Sequence, residues 1–424
     1  MALIVVVLLV SCNNKEILRQ TEPIYTPRYA EGFSIERDKA NGEVLLCVKN
    51  PWQGAENIRY YYPIDTLAPA KRITTMSSSH AAMLDAVGCS DRIVGLSGCR
   101  FVYNLDLCKK IAEGKISEVG YDSNFDFEKI RSLRTDAVLL YGVSGEAKMI
   151  TDKLNELHIP YIYIGEYLEN NPLGKAEWVV ALAYICGVGE QGKEFFKGAE
   201  ERYNTLRNQK HCSAYRPRVM LNLPYRDTWF MPPRNSYMVQ LIEDAGGTYI
   251  LTESGTDAAE RGQRALAHYA EPRGGKACAA GLKRKTENEK RTAAIKSRAE
   301  AACRLCRDGA VKSPRSGIKT ENGNTSTPIS LEEALVLAMK ADFWINLGQI
   351  SSKEELCAVA PRFAEVDAVK FGRLYNNTKR TNESRGSDFW ESGCVRPDLI
   401  LADLIKILHY EASTDSLYYY KKME

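Results

Sequence analysis

The chain has little of what most enzymes and nucleic-acid-binding proteins depend on. Only five histidines are spread over 424 residues. A hydrolase built on Ser79-His80 would need a nucleophile elbow of the form GxSxG and a placed acid, and neither is present. The formal net charge is +3, and no aromatic-rich basic motif occurs, which argues against a nucleic-acid partner. No hydrophobic run is long enough to cross a bilayer; the one near the N-terminus, Ala2 to Val10, has nine residues. Cysteine is present but unpatterned. Of the twelve, Cys47, Cys89, Cys99, Cys108, Cys186, Cys212, Cys357 and Cys394 have no regular spacing and read as small buried apolar residues. Cys278, Cys303 and Cys306 offer a single CxxC without a second pair, which is too little for zinc.

The apolar run at the start ends in Leu9-Val10-Ser11-Cys12. That tetrad resembles a bacterial lipobox, which implies cleavage before Cys12 and lipidation of its thiol, although no Lys or Arg precedes the run. Residues 1–12 are then a signal peptide, and the polar tract 13–28 is a tether. The location this implies is periplasmic or cell-surface, lipid-anchored to a bacterial membrane.

Residues 29–66 alternate β-prone runs (FSIER, EVLLCVKN, IRYYYPI) with Asn41-Gly42 and Gln53-Gly54, the pattern of a β meander of about three strands. From 67 to 170 the pattern changes to helices feeding short apolar strands, as in FEKIRSLRTDAVLLYG and KMITDKLNELHIPYIYIGEY. Such repeated units imply a parallel sheet covered on both faces. Ser77 to Ser79 suit the N-cap of the helix that follows them. Lys175 to Lys210 reads as one long amphipathic helix with a break at Gly187 and Gly189, a bridge spanning 171–211. Beyond it, 212–424 repeats the helix-to-strand pattern in RPRVMLNLPYRDTWFMP, YMVQLIEDAGGTYI and ISLEEALVLAMKADFWIN, so two α/β lobes flank the bridge. Residues 254–324 stand apart: 16 Lys and Arg face 8 Asp and Glu there, with Tyr269 as the one aromatic. That composition reads as a basic insert without a core.

SSSHAAMLDAVGCSDRIVGLSG, FDFEKIRSLRTDAVLLYG, NLPYRDTWFMPPRNSYMVQLIEDAGGTYI, STPISLEEALVLAMKADFWIN and DFWESGCVRPDLILADLIK resemble the periplasmic substrate-binding proteins of ABC importers for iron-siderophore, heme and cobalamin. The lipoprotein members of Bacteroidetes-type bacteria are the nearest likeness. The resemblance covers about residues 29–253 and 325–424, and the insert 254–324 departs from it. It implies two Rossmann-like lobes with parallel sheets bridged by one long helix, no catalysis, no resident cofactor and a monomer. The expected ligand is an iron chelate, heme or a corrinoid held between the lobes, and the expected partner is an ABC permease.

A receptor of this kind needs a concave site with a few placed polar groups. By position after strands, the first lobe offers Ser78, Ser79, His80, Cys99, Arg100, Tyr121 and Tyr141. The second offers Tyr225, Arg226, Trp229, Tyr375, Asn376 and Trp390. The aromatic rings would lie against a macrocycle or catecholate, and the arginines could meet its oxygens in pairs. Direct capture of a metal ion is disfavoured, because His80 alone among the histidines lies in an expected cleft loop. The resemblance also assigns permease docking to one Glu per lobe, Glu146 and Glu332, with Glu333 the weaker neighbour. Alternatives on the same sequence are a surface lipoprotein that presents heme without a permease, and the Ser/His hydrolase set aside above.

Overall fold

The computed structural model describes residues 19–64, 68–120, 124–142, 146–209, 215–225, 228–251, 326–410 and 413–424. The expectations for Cys12, Tyr121, Arg226, Cys212 and the insert 254–324 fall outside the described residues. The chain divides into one unit formed by Met1–Thr252 with Ser326–Glu424, and a second, Glu253–Thr325. Everything below concerns the first unit.

The unit opens with an antiparallel sheet in the order β1 (Thr21–Tyr25), β2 (Phe33–Asp38), β3 (Val44–Lys49) and β4 (Arg59–Pro63). The meander therefore has one strand more than the sequence predicts. β1 lies in the stretch expected to be tether, where its Pro23 is tolerated because the strand is at the sheet edge.

Two sheets follow, the first all parallel and the second parallel except for its edge strand Lys421–Lys422, which pairs antiparallel with its neighbour. The first has the order β7-β6-β5-β8-β9, from β5 (Ile73–Thr75), β6 (Ile93–Leu96), β7 (Ser117–Glu118), β8 (Ala137–Leu140) and β9 (Tyr161–Tyr163). Every residue of β5, β6 and β8 is buried, as apolar runs covered on both faces should be. Between the strands lie α1 (Ser78–Ala86), α2 (Leu105–Ala112), α3 (Phe127–Ser132) and α4 (Glu146–Glu156). Ser77 caps α1, its hydroxyl accepting from Ser79 N at 3.2 Å.

The second sheet is built from β10 (Arg218–Leu221), β12 (Thr248–Tyr249), β14 (Phe343–Ile345), β15 (Leu374–Asn376) and β16 (Lys421–Lys422), in the order β12-β10-β14-β15-β16. β11 (Thr228–Met231) pairs antiparallel with β13 (Thr327–Ser330). Strands from both sides of the insert thus share one sheet and one ribbon. α7 (Tyr237–Asp244), α8 (Leu331–Ala338), α9 (Lys353–Val359), α10 (Asp367–Lys370) and α11 (Pro397–Tyr410) belong to this lobe.

The bridge is not one helix. It comprises α5 (Pro172–Ile185) and α6 (Gly189–Arg207), which turn at Gly187, whose φ of +68° only glycine adopts without cost. α6 then lies against α5 so closely that a Cβ on Gly192 would sit 2.4 Å from the Ala183 methyl. Every residue of α5 except Lys175 is buried, so it is a core helix with apolar residues all round. α6 is the amphipathic partner, burying Gly192, Phe196, Ala199 and Tyr203. It reaches the second lobe through Tyr203 to Asp244 and Arg202 to Asp398, both at 2.6 Å. Two buried acids tie the N-terminal sheet to this pair. Glu177 accepts from Tyr25 Oη and from the backbone N–H of Arg28, Tyr29 and Ala30, all within 2.9 Å. Glu169 accepts from Gly32 N and from Trp178 Nε1, both at 2.9 Å.

Candidate functional site

In the second lobe the chain winds outward from β10 in both directions, to β12 on one side and to β14 and β15 on the other. The junction between β10 and β14 is therefore a switch point, and ligands of open α/β sheets bind beyond the carboxyl ends of the strands at such points. An asparagine follows each of the three strands concerned: Asn222 after β10, Asn346 after β14, Asn377 after β15. Asn222 and Asn346 have left-handed backbones, with φ of +62° and +60°. Asparagine tolerates that conformation better than most residues. The bend turns these two side chains away from the strand alternation.

The three asparagines line a cavity of about 540 Å³. Its wall also carries Ser236 and Tyr237 at the start of α7, then Arg385, Ser387 and Trp390 from the segment after β15, and Lys421 from β16. Among the described residues, no carboxylate, histidine or cysteine lines it. Three lining atoms, Asn346 Oδ1, Ser236 Oγ and Ser387 Oγ, are buried without a hydrogen-bond partner. Unmet buried polar atoms are rare and costly, and each calls for an explanation. The Trp390 indole, 53% exposed, stands at the rim.

Of the thirteen ligand candidates, Trp390 lines this cavity. The other described candidates are placed elsewhere, for identifiable reasons. Trp229 is fully buried, stacked on Trp344 at 5.3 Å with Nε1 donating to Leu221 O. Alternation along β11 turns Trp229 and Met231 inward and leaves Phe230 exposed. Tyr375 is buried beside Phe343. Asn376 is buried too, its amide donating to Gly348 O and Ile350 O at 2.9 and 3.0 Å. Tyr225 is exposed, and Arg226 lies outside the described residues.

In the first lobe, Arg100 is exposed with its guanidinium 4.5 Å over the Phe101 ring. Cys99 is half-buried with Sγ donating to Leu96 O. Tyr141 is half-buried edge-on to Tyr167, Ser78 is half-buried, and Tyr121 is undescribed.

Ser79 and His80 point into the protein. Ser79 Oγ donates to Glu166 Oε1 at 2.6 Å. His80 Nε2 lies 3.4 Å from Glu166 Oε2, within ion-pair distance but without hydrogen-bond alignment. Burial pushes the Glu166 carboxyl up, yet His80, Lys175 and the Ser79 hydroxyl outweigh it and hold the pKa at about 2. A carboxyl depressed on folding stabilises above its unfolded value and loses that contribution as pH falls toward the folded one. Glu166 should therefore account for on the order of 3 kcal/mol of stability lost between about pH 4.5 and pH 2. Acid unfolding of Glu166→Gln followed by circular dichroism checks this: the variant should be less stable at pH 6 and flatter below pH 4.5. An acid limb equal to the parent's would contradict it.

Signals for the missed residues were available. Asn222 and Asn346 each close an apolar run and Asn377 follows a strand that itself ends in asparagine, the place where a parallel strand presents its carboxyl end. Ser236 opens a helix directly after a loop.

No family model matches the sequence. The chain is 24% identical over 355 residues to an uncharacterized lipoprotein of Methanocaldococcus jannaschii, a match covering 81% of this chain and 66% of that protein's length. Among solved structures it resembles a periplasmic binding protein from Veillonella parvula, with a TM-score of 0.51 and 14% identity over 83% of this chain and 95% of that one. It equally resembles a periplasmic heme binding protein from Pseudomonas aeruginosa, with a TM-score of 0.51 and 13% identity over 84% and 98%. The fold is the two-lobed α/β architecture of periplasmic solute-binding proteins.

Proposed function

We propose that the chain is the non-enzymatic solute receptor of an ABC importer and that its solute, an anionic iron chelate, heme or a corrinoid, binds at the second-lobe cavity. The observation that carries this is the trio of partnerless buried atoms, Asn346 Oδ1, Ser236 Oγ and Ser387 Oγ, around a space of about 540 Å³. Ligand cavities of small-molecule receptors have that size and a few convergent polar groups. Arg385 and Lys421 supply positive charge, with no carboxylate among the described lining residues. Among the described residues the wall offers amides, hydroxyls and two cations, a donor set that suits a completed chelate better than a bare ion.

The lipobox-like tetrad at Cys12 and the lipoprotein relative support a membrane tether outside the cytoplasm. For permease docking, Glu332 is the better candidate of its pair. It is exposed in the first turn of α8, whereas Glu333 closes a capping box with Ser330, accepting from its N–H and hydroxyl at 3.1 and 3.0 Å. Glu146 opens α4 in the first lobe, and the pair would set orientation more than affinity.

Native mass spectrometry of the full chain against ferric siderophores, hemin and cobalamin tests the proposal. One of these should form a one-to-one adduct and change tryptophan emission through Trp390. If none of the three classes binds, the receptor assignment fails.

A further inference from the structure

After β15 the chain leaves the second lobe's sheet and runs along the first lobe from Arg380 to Glu391. One side of this segment, with Thr381, Arg385, Ser387 and Trp390, walls the cavity. The other side holds the first-lobe turn 100–104. Asn382 Nδ2 donates to Arg100 O at 3.0 Å and to Val102 O at 2.8 Å. Gly386 lies flat on Phe101, where any Cβ would come within 1.8 Å of the Phe101 carbonyl oxygen. Glu391, almost fully buried, accepts from Tyr103 N and Asn104 N, both at 2.8 Å. Arg380 sits over the Tyr103 ring at 4.9 Å and over Tyr418 at 4.4 Å, and pairs with Asp388 at 2.5 Å.

We propose that Arg380–Glu391 is a clamp between the lobes, with Glu391 as its proton-sensitive latch, and that its grip on the 100–104 turn loosens as pH rises through neutrality. The cavity wall would move with it. This stands on the contacts between the lobes and does not require the solute assignment above.

The groups facing Glu391 come from three places. Asp388 lies on its own segment with Cys394 in the turn just after it, Asp85 on α1, and Cys108 on α2 beside the donating Tyr103 and Asn104 amides. Burial raises the Glu391 pKa to about 7, Asp388 and Asp85 add to that rise, and the two amides oppose it. Released into water, the same carboxyl would titrate near 4.3. The gripped state therefore holds the proton more tightly than the released one. By linkage, acid favours the grip, and rising pH favours release until the carboxyl is ionised in both states.

Hydrogen exchange of the peptide carrying Tyr103 and Asn104, measured on the full chain and corrected for the intrinsic exchange rate, tests the latch. Protection should fall about thirtyfold between pH 5.5 and 8.5 for a carboxyl shifted from about 4.3 to about 7. Glu391→Gln keeps an acceptor oxygen but cannot titrate, so its profile should be flat. Asn382→Ala should weaken protection at every pH while keeping the slope. A flat parent profile overturns the proposal, and so does a slope that persists in Glu391→Gln. Should Glu391→Gln not fold, equal protection in Asn382→Ala and the parent would overturn the clamp itself.

Discussion

Asn346→Gly combined with Ser387→Ala should weaken solute binding about a hundredfold and leave the fold within about 1 kcal/mol of the parent. The two effects have separate origins. In the empty cavity, Asn346 Oδ1 and Ser387 Oγ are buried without partners, and a buried polar atom that a ligand satisfies contributes about 1–3 kcal/mol to its binding. Losing two such contacts gives a factor between about thirty and about twenty thousand, and a hundredfold lies toward its lower end. Glycine is the appropriate replacement for Asn346 because the backbone there has a φ of +60°. Alanine or leucine would add strain and confuse the result. Removing unsatisfied polar atoms carries no stability penalty of its own, and the Asn346 side chain's contact to Tyr420 is lost with them, so a melting temperature slightly below the parent's is expected. Titration with the solute that forms the native-mass adduct measures the first effect, and calorimetry of the free protein measures the second. A dissociation constant within threefold of the parent's would place the solute elsewhere.

That prediction rests on residues which sequence reasoning passed over. The order of helices and strands was legible because both lobes repeat one pattern: an amphipathic helix, a polar turn, and a three- or four-residue apolar strand. Capping was legible at Ser77, where a serine run precedes an apolar helix. Strand ends are legible too, but a side chain's chemistry is plain in the sequence where its direction is not. Trp229 and Tyr375 are rings suited to a macrocycle, yet the two-residue alternation of β11 turns Trp229 into the core, and β15 is buried along its whole length. Asn376 and Asn377 show the same point at one-residue resolution. The first holds the loop 348–350 by its amide, and the second lines the cavity.

Other features had no local signature at all. Glu177 and Glu169 look like exposed charges in a helix and a loop, but each collects amide donors from a segment more than 130 residues away. Glu391 does so for Tyr103 and Asn104 across almost 290 residues. Contacts at that range depend on the assembled lobes, and no periodicity encodes them. The fourth N-terminal strand escaped for a milder reason: TEPIY contains a proline and two exposed residues, so it reads as coil until its partner is known.

The bridge leads to the largest effect on stability expected from a change in packing. Gly192→Ala would ordinarily stabilise a helix by up to about 1 kcal/mol through propensity alone. In this chain it should destabilise by about 2–3 kcal/mol. The new methyl would lie 2.4 Å from the Ala183 Cβ and 3.3 Å from the Val180 Cα, well inside contact distance, and neither neighbour is a flexible side chain that can swing away. α5 is buried on nearly every face, so it cannot retreat without disturbing both the first lobe and the N-terminal sheet held by Glu177. Relief must come from α6 moving outward, at the cost of its contacts to Asp244 and Asp398. Overpacking of a closed core costs about 1–3 kcal/mol in general, and the rigidity of both helices puts this site at the upper end. Calorimetry should show a melting temperature lowered by about 5 °C. The control is the reciprocal pair: Ala183→Gly with Gly192→Ala transfers the methyl to the opposite helix and should recover most of the loss, giving a coupling energy of about 1–2 kcal/mol in a double-mutant cycle. If Gly192→Ala is as stable as the parent, α5 and α6 are not in close contact and the bridge is a looser joint than the hairpin described above.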